Sequence, residues 1–171
     1  IDLRGHGEST VKDSKERVWE DFTLLEFNEM IRDVNAAQRF LKEDNLAVMG
    51  ASIGANIAAK SASVNDKISA VVLLSPGEDY RGIQITDAIK KVKQPVFIAA
   101  SEEDGYAASS SQRLHKLKPG KKELVLLNNA GHGTQMLRGT DLEAKLIEWL
   151  AGNFPAAVPI TNTTNTTSTI R

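Results

Sequence analysis

The chain has 171 residues, 41% hydrophobic and 25% charged, a composition suited to one globular domain with a sizeable core. Its formal net charge of −1 gives no basic field for nucleic acid or an anionic membrane, and no run is long and apolar enough to span a bilayer. The lack of cysteine excludes disulfides, a thiolate nucleophile and a Cys-based metal site. Ile1-Asp2-Leu3-Arg4 does not resemble a signal peptide, so the expectation is a soluble, cytoplasmic protein.

Residues 1–9 begin as though a strand were ending, with Gly5 and Gly7 marking the loop that comes next. Residues 10–22 are mostly polar and read as loop or a marginal first helix. Thr23 and Glu26 have the spacing of a capping box, in which each side chain satisfies a free backbone N–H. The helix predicted from there to about Glu43 carries Phe27, Met30, Ile31, Val34, Ala37, Phe40 and Leu41 at three- and four-residue spacing, so one face packs on a core. Leu46 to Met49 predicts a strand, and Ile53 to about Ser63 a small-residue helix suited to close packing on a sheet.

Between these two lies Gly50-Ala51-Ser52-Ile53-Gly54, which reads as strand, sharp turn and helix. The turn is so tight that glycine is expected on both sides, with Ser52 strained at its apex. Gly-x-Ser-x-Gly alone arises by chance in roughly one chain of this length in twenty. Its meaning therefore depends on acid and base candidates further along the chain.

Ile68 to Leu74 is a continuous apolar run, the signature of a strand buried on both faces. Ser75-Pro76-Gly77 stops it, and Thr86 is expected to cap a brief helix, 87–92. Pro95 to Ala100 predicts the next buried strand, ending in the acidic loop Ser101-Glu102-Glu103-Asp104. Ser109 to Leu117 reads as helix, halted by Pro119-Gly120. Glu123 to Leu127 is another strand, followed by a loop holding His132-Gly133. Thr140 and Glu143 repeat the capping-box spacing, and Leu142, Leu146, Trp149 and Leu150 stripe the last helix. After Phe154 the chain turns to Thr, Asn, Ser and Pro, which cannot bury a core. The expected organisation is a domain over 1–154 and a polar tail over 155–171. Asn162 and Asn165 head glycosylation sequons in that tail, with nothing else pointing to secretion.

Apolar strands alternating with helices imply an α/β fold: a mainly parallel sheet of about four to five strands, covered by helices on both faces. Functional groups of such sheets gather beyond the carboxyl ends of the strands. Ser52, Asp104 and His132 follow three strands in turn. A serine hydroxyl needs a base to take its proton, an imidazole suits that task near neutrality, and a carboxylate fixes the imidazole's tautomer. The acid has rivals in Glu102 and Glu103 beside Asp104, and in Glu78 and Asp79 after an earlier strand. His115, among Arg113, Lys116 and Lys118, reads as a solvated surface residue. Tyr106 and Met136 either line an acyl pocket or pack under loops.

Four segments together resemble the α/β-hydrolase superfamily in its serine esterase and lipase-like branch. Asp2 to Ser9 is similar to the family loop after its fourth strand, and Gly50-x-Ser52-x-Gly54 to the nucleophile elbow after its fifth. Ser101 to Asp104 is similar to the acid-bearing segment after the seventh, and Gly131-His132-Gly133 to the histidine loop after the eighth. The resemblance covers residues 1 to about 154. It implies Ser52 as nucleophile, His132 as general base and then acid, and Asp104 as the orienting carboxylate. The Ile53 N–H would be one oxyanion donor, a group typically worth about 3 kcal/mol in the transition state. It implies neither metal nor cofactor.

The family fold begins with about three more strands and most of a fourth, which this sequence lacks. The expectation is either a fragment of a longer enzyme or a reduced hydrolase. Without those strands Leu46 to Met49 becomes an open edge that invites pairing, and the reduced hydrolase is expected to cover it as a homo-oligomer. The second oxyanion donor must come from elsewhere, and Gly5 and His6 in the glycine-rich first loop are the candidates. The short connection from Pro76 to Gln94 leaves no room for a lid domain. The expected activity is hydrolysis of small-molecule, short-chain carboxylic esters through an acyl-enzyme. The alternative is an inactive or weak hydrolase-fold binding protein, or an enzyme fragment, without a complete oxyanion hole.

Overall fold

The computed structural model describes residues 1–154; the tail and its two sequons lie outside the described residues. Strands β1 (Val11–Lys12) and β2 (Lys15–Glu16) form a small antiparallel hairpin, and a 3₁₀ turn follows at Trp19–Asp21. Helix α1 (Leu24–Glu29) opens on the capping box that the spacing predicts: Thr23 N donates to Glu26 Oε2 at 2.9 Å, and Glu26 N donates to Thr23 Oγ1. The single helix expected to Glu43 is instead two, because α2 spans Ile31–Leu41. At the join Met30 N donates to Phe27 O and Asp33 N to Met30 O. These three-residue bonds tighten the chain locally while the Met30 side chain is wholly buried.

The main sheet contains β3 (Leu46–Ala51), β4 (Ile68–Leu74), β7 (Val96–Ser101) and β8 (Lys122–Leu127). A second hairpin, β5 (Asp79–Tyr80) and β6 (Ile83–Gln84), sits between β4 and β7 in the chain. The sheet order is β3-β4-β7-β8 with every neighbour parallel, as the apolar runs imply. Helices α3 (Ile53–Ala62), α4 (Thr86–Lys91), α5 (Gly105–Leu117) and α6 (Leu142–Asn153) complete the described chain.

The two-residue period of the strands divides the core into two layers. Val71, Leu73, Val96 and Ile98 pack with Ile57 of α3, Ile89 of α4 and Leu114 of α5, and with Phe27 and Met30. Ala70, Val72, Leu74, Phe97 and Ala99 face the other way, onto Leu142, Leu146 and Trp149 of α6. Phe97 meets the Trp149 ring edge to face at 5.5 Å between centroids. The stripe predicted for the last helix is thus the one that it buries.

Several helix starts differ from the sequence reading. Helix α4 begins at Thr86 itself, with Ile85 at the cap position. Helix α5 begins four residues before Ser109, because Asp104 caps it and Ala108 N donates to Asp104 O at 2.8 Å. No capping box forms at Thr140: Asp141 is the cap residue of α6, and Thr140 Oγ1 accepts from Leu142 N while donating to Met136 O.

Among the described residues no strand pairs with the outer side of β3, which is the expected open edge. Its consequence reaches α2. Phe40 is 84% exposed and Leu41 54%, although helical spacing places both on the core face. Of this helix, Ile31 and Val34 pack against the core, and Phe40 and Leu41 at its far end stay outside it. Val34, Ala37 and Leu41 line, with Leu46, Val48 and Gly54, an apolar groove of about 360 Å³ along this edge.

Candidate active site

Ser52 occupies the single residue between β3 and α3, with φ 55° and ψ −124°. That region is sparsely populated for a residue with a Cβ, and holding it costs about 1–3 kcal/mol. The turn is fixed from both sides: Ser52 N donates to Leu74 O of β4, and Ser52 O accepts from Ala55 N, each at 2.9 Å. The two glycines of the elbow are not equivalent. A Cβ on Gly50 would lie 2.1 Å from Gly54 O, so the turn closes only over a glycine there. A Cβ on Gly54 would meet nothing within 4 Å. The expectation that glycine is needed on both sides therefore holds for Gly50 alone, because Gly54 faces the groove beside the sheet edge.

Asp104 lies three residues beyond β7, and its Oδ2 is 2.5 Å from His132 Nδ1. The other acidic side chains are placed differently. Glu78 pairs with Arg113 at 2.9 Å, and Asp79 Oδ1 accepts from Gly82 N at 2.7 Å. Glu103 is turned onto the loop that carries His132: it accepts from Asn129 N at 2.8 Å and Gly131 N at 2.9 Å, and from Ser101 Oγ at 2.5 Å. Ser101 Oγ in turn accepts from Ala130 N at 2.8 Å. Three successive amides ahead of His132 are thus held by the acidic loop. The Ser101 hydroxyl first, then the Gly131 amide, brings the Glu103 carboxyl down to about 2. Glu102 donates its N–H to Leu127 O.

His132 is anchored on its other side as well. Its N–H donates to Gln135 Oε1 at 3.0 Å, and Gly133 N donates to the buried Ser75 Oγ at 2.9 Å. A Cβ on Gly133 would touch Ala51 Cβ at 3.3 Å, so the histidine loop lies against the strand end that carries Ser52.

One site residue has no signal in the sequence. Tyr80, in the β5–β6 hairpin, donates its hydroxyl to Ser75 O at 3.3 Å. Its ring stands edge-on to His132, 6.5 Å between centroids, and to Tyr106 at 5.5 Å. Burial first, and the Asp104 charge second, push the Tyr80 hydroxyl up to about 12. Tyr80 thus packs its ring against the histidine that Asp104 holds.

The remaining candidates also have definite places. Tyr106 brackets the hairpin, donating to Asp79 O at 2.8 Å and accepting from Asp79 N at 3.0 Å. Met136 is fully buried in the α6 layer. His115 is partly buried rather than solvated, and burial first, then Lys122, lowers its imidazole from the usual value. In the first loop Gly5 N donates to Ser9 O at 2.8 Å and His6 N to Leu3 O at 3.0 Å. The His6 ring stacks on Trp19, whose other neighbour is the Arg81 guanidinium. Arg4 ties this loop to the helices through Asp33 at 2.7 Å and Glu29 at 3.1 Å.

The family described as alpha/beta hydrolase fold matches residues 1–89, and the chain belongs to it. No curated protein sequence matches the chain. Among solved structures, it is similar to an alpha/beta hydrolase enzyme from the metagenome of lagoon sediments at Mar Chica, Morocco, at 16% identity and a TM-score of 0.66, covering 77% of this chain and 74% of that one. It is similar to Est816, described as an N-acyl homoserine lactone degrading enzyme, at 22% identity and a TM-score of 0.66, covering 89% and 80%. An esterase of Pyrococcus furiosus matches at 17% identity and a TM-score of 0.63, covering 75% and 63%. At these identities the likeness is one of fold.

Proposed function

We propose that the chain is a serine carboxylic ester hydrolase acting on short-chain acyl esters. The observation that carries this reading is the 2.5 Å contact of Asp104 with His132 Nδ1, beside a serine in a strained strand-to-helix turn. Asp104 fixes the tautomer that leaves Nε2 free as base. His132 takes the Ser52 proton, and Ser52 Oγ bonds to the acyl carbon. The carbonyl oxygen, now negative, faces the N–H of Ile53, the first residue of α3, which has no acceptor within its helix. His132 returns the proton to the leaving alcohol, and a water activated in the same way releases the acid and regenerates Ser52.

The size preference follows from what covers the site. Between β4 and β7 there is only a four-residue hairpin ladder and the six-residue α4, with no lid. Tyr80 and Tyr106, edge-on to each other at 5.5 Å with the Tyr80 ring against His132, support a preference for a small acyl group. The neighbours described as an esterase and as an N-acyl homoserine lactone degrading enzyme are consistent with this chemistry. Ser52→Ala is expected to abolish hydrolysis of p-nitrophenyl acetate; retention of wild-type turnover refutes the assignment.

A second reading, a hydrolase fold that binds without catalysis, draws on the first loop. Gly5 and His6 commit their N–H groups to Ser9 and Leu3, so either can serve as oxyanion donor only if that turn opens. Covalent labelling of Ser52 by a fluorophosphonate separates the two readings, since an inert site does not label. We also propose that a second copy of the chain pairs with the open edge of β3 and covers Phe40, Leu41 and Met49. A stable monomer in light scattering at micromolar concentration contradicts this.

A further inference from the structure

The successive amides from Asn129 to Gly133 all donate to side chains, and these side chains reach the loop from different places. Glu103 and Ser101 take the first three and tie the loop to the end of β7, beside Asp104. Gln135, which takes the His132 amide, belongs to the 3₁₀ turn that follows His132. Gly133 N reaches across to the end of β4 and donates to Ser75 Oγ at 2.9 Å.

Ser75 stands where Ser52 is also fixed. Ala51 and Leu74 are register partners in the parallel pair β3–β4, and Ser52 and Ser75 are the residues that follow them. Ser52 N donates to Leu74 O at 2.9 Å, so the Leu74–Ser75 peptide links the nucleophile's backbone to the Ser75 side chain. Ser75 is wholly buried, and its hydroxyl donates to Met136 Sδ at 4.0 Å, which leaves its lone pairs for Gly133 N. The Ser75 carbonyl accepts from the Tyr80 hydroxyl, whose ring stands edge-on to His132. Ser75 holds this place at φ 48°, where L side chains are rarely found and glycine is at ease. Glycine there would relieve the backbone but supply no hydroxyl. Strain kept at a buried position beside the candidate triad points to a use for the side chain.

We propose that Ser75 is a positioning residue, whose hydroxyl sets His132 in the register with Ser52 that proton transfer requires. The inference rests on the serine esterase reading above. Asp104 selects the tautomer of the imidazole, and the acidic loop fixes the histidine loop relative to β7. The base must also be aligned with a nucleophile that follows β3, two strands away. The path from Ser52 N to Leu74 O, and from Ser75 Oγ to Gly133 N, supplies that alignment across β4. Ser75 neither gives nor takes a proton in the reaction; it holds the backbone one residue past the base. A misplacement of about 1 Å at a reacting group costs up to about 100-fold in rate, whereas binding of a small ester does not depend on the base.

Ser75→Ala and Ser75→Gly both delete the hydroxyl, but only glycine relieves the backbone. On p-nitrophenyl acetate each is expected to lower kcat about 10–100-fold with KM little changed. Ser75→Gly is nevertheless expected to unfold at a higher temperature than Ser75→Ala, so that activity and stability part company. A kcat within about threefold of wild type in either variant overturns the assignment, as does a kcat that recovers in Ser75→Gly along with its stability. If Ser75→Ala does not fold, Ser75→Gly carries the test. If neither folds, hydrogen exchange in the wild type decides: the Gly133 amide is expected to exchange at least about 100-fold more slowly than an unprotected amide, and exchange at the unprotected rate overturns the hold. A wild-type protein that neither turns over the ester nor takes up a fluorophosphonate sinks the esterase reading itself. An active, labelled wild type indifferent to Ser75 sinks only this inference.

Discussion

The two glycines of the elbow are predicted to respond oppositely to the same substitution. In Gly50→Ala the new methyl meets Gly54 O at 2.1 Å and Gly54 C at 2.3 Å, both backbone atoms of the first turn of α3. Neither can swing aside as a side chain would, so the turn must open and carry Ser52 with it. Overpacking of this kind costs about 1–3 kcal/mol even where side chains yield, and a backbone clash belongs at or above the upper end. In Gly54→Ala the methyl enters open space inside a helix, where alanine is favoured over glycine by about 1 kcal/mol. The two variants should therefore lie on opposite sides of the wild type and differ by about 4 kcal/mol. For a domain of this size that is a Tm separation on the order of 10 °C. The assay is thermal and urea unfolding, run at concentrations where the midpoint no longer depends on concentration, so that pairing at the β3 edge does not enter. Equal destabilisation of the two variants, or a Gly50→Ala as stable as the wild type, refutes this account of the elbow.

Two further predictions concern the histidine loop. Asp104→Asn should leave the fold intact but lower kcat by about 10³–10⁴-fold, because an amide no longer selects the tautomer with a free Nε2; measured kcat within tenfold of wild type contradicts the pairing. Glu103 acts on the backbone of residues 129–131, so Glu103→Gln should loosen His132 and reduce kcat while leaving KM nearly unchanged. Because the folded protein depresses this carboxyl from 4.5 to about 2, its stabilising effect is complete above pH 4.5 and disappears as pH falls toward 2. The Tm of the wild type should decline across that window more steeply than that of Glu103→Gln, and parallel curves argue against the clamp.

Much of the sheet was legible because a strand buried on both faces needs apolar residues at every position. Ile68–Leu74 meets that requirement except at the partly buried Ser69, and its boundaries match the observed β4. The open edge follows from the family resemblance, and among the described residues no strand pairs with the outer side of β3. Other features depend on geometry that periodicity does not carry. Helical spacing runs unbroken through Met30, where the chain tightens for one turn, and it assigns Phe40 to a core that ends before reaching it. The two capping-box patterns are indistinguishable as sequence, yet only Thr23 forms one, because α6 starts a residue too late for Thr140 to do so.

At the site, sequence order alone selects serine, acid and histidine but cannot tell Asp104 from Glu103. The turn into α5 separates them: one carboxylate meets the imidazole and its neighbour meets the amides of the loop behind it. Tyr80 was beyond reach for a different reason. It lies in a two-residue strand with no periodicity, and its place against His132 follows from the path of the chain after Ser75 rather than from any motif.

The most direct test of the esterase reading is to treat the native protein with a fluorophosphonate and map the adduct by mass spectrometry. A single modification on Ser52 is predicted, lost when the protein is denatured first and strongly slowed in Asp104→Asn. No adduct, or one distributed over other serines such as Ser75 and Ser101, contradicts the reading.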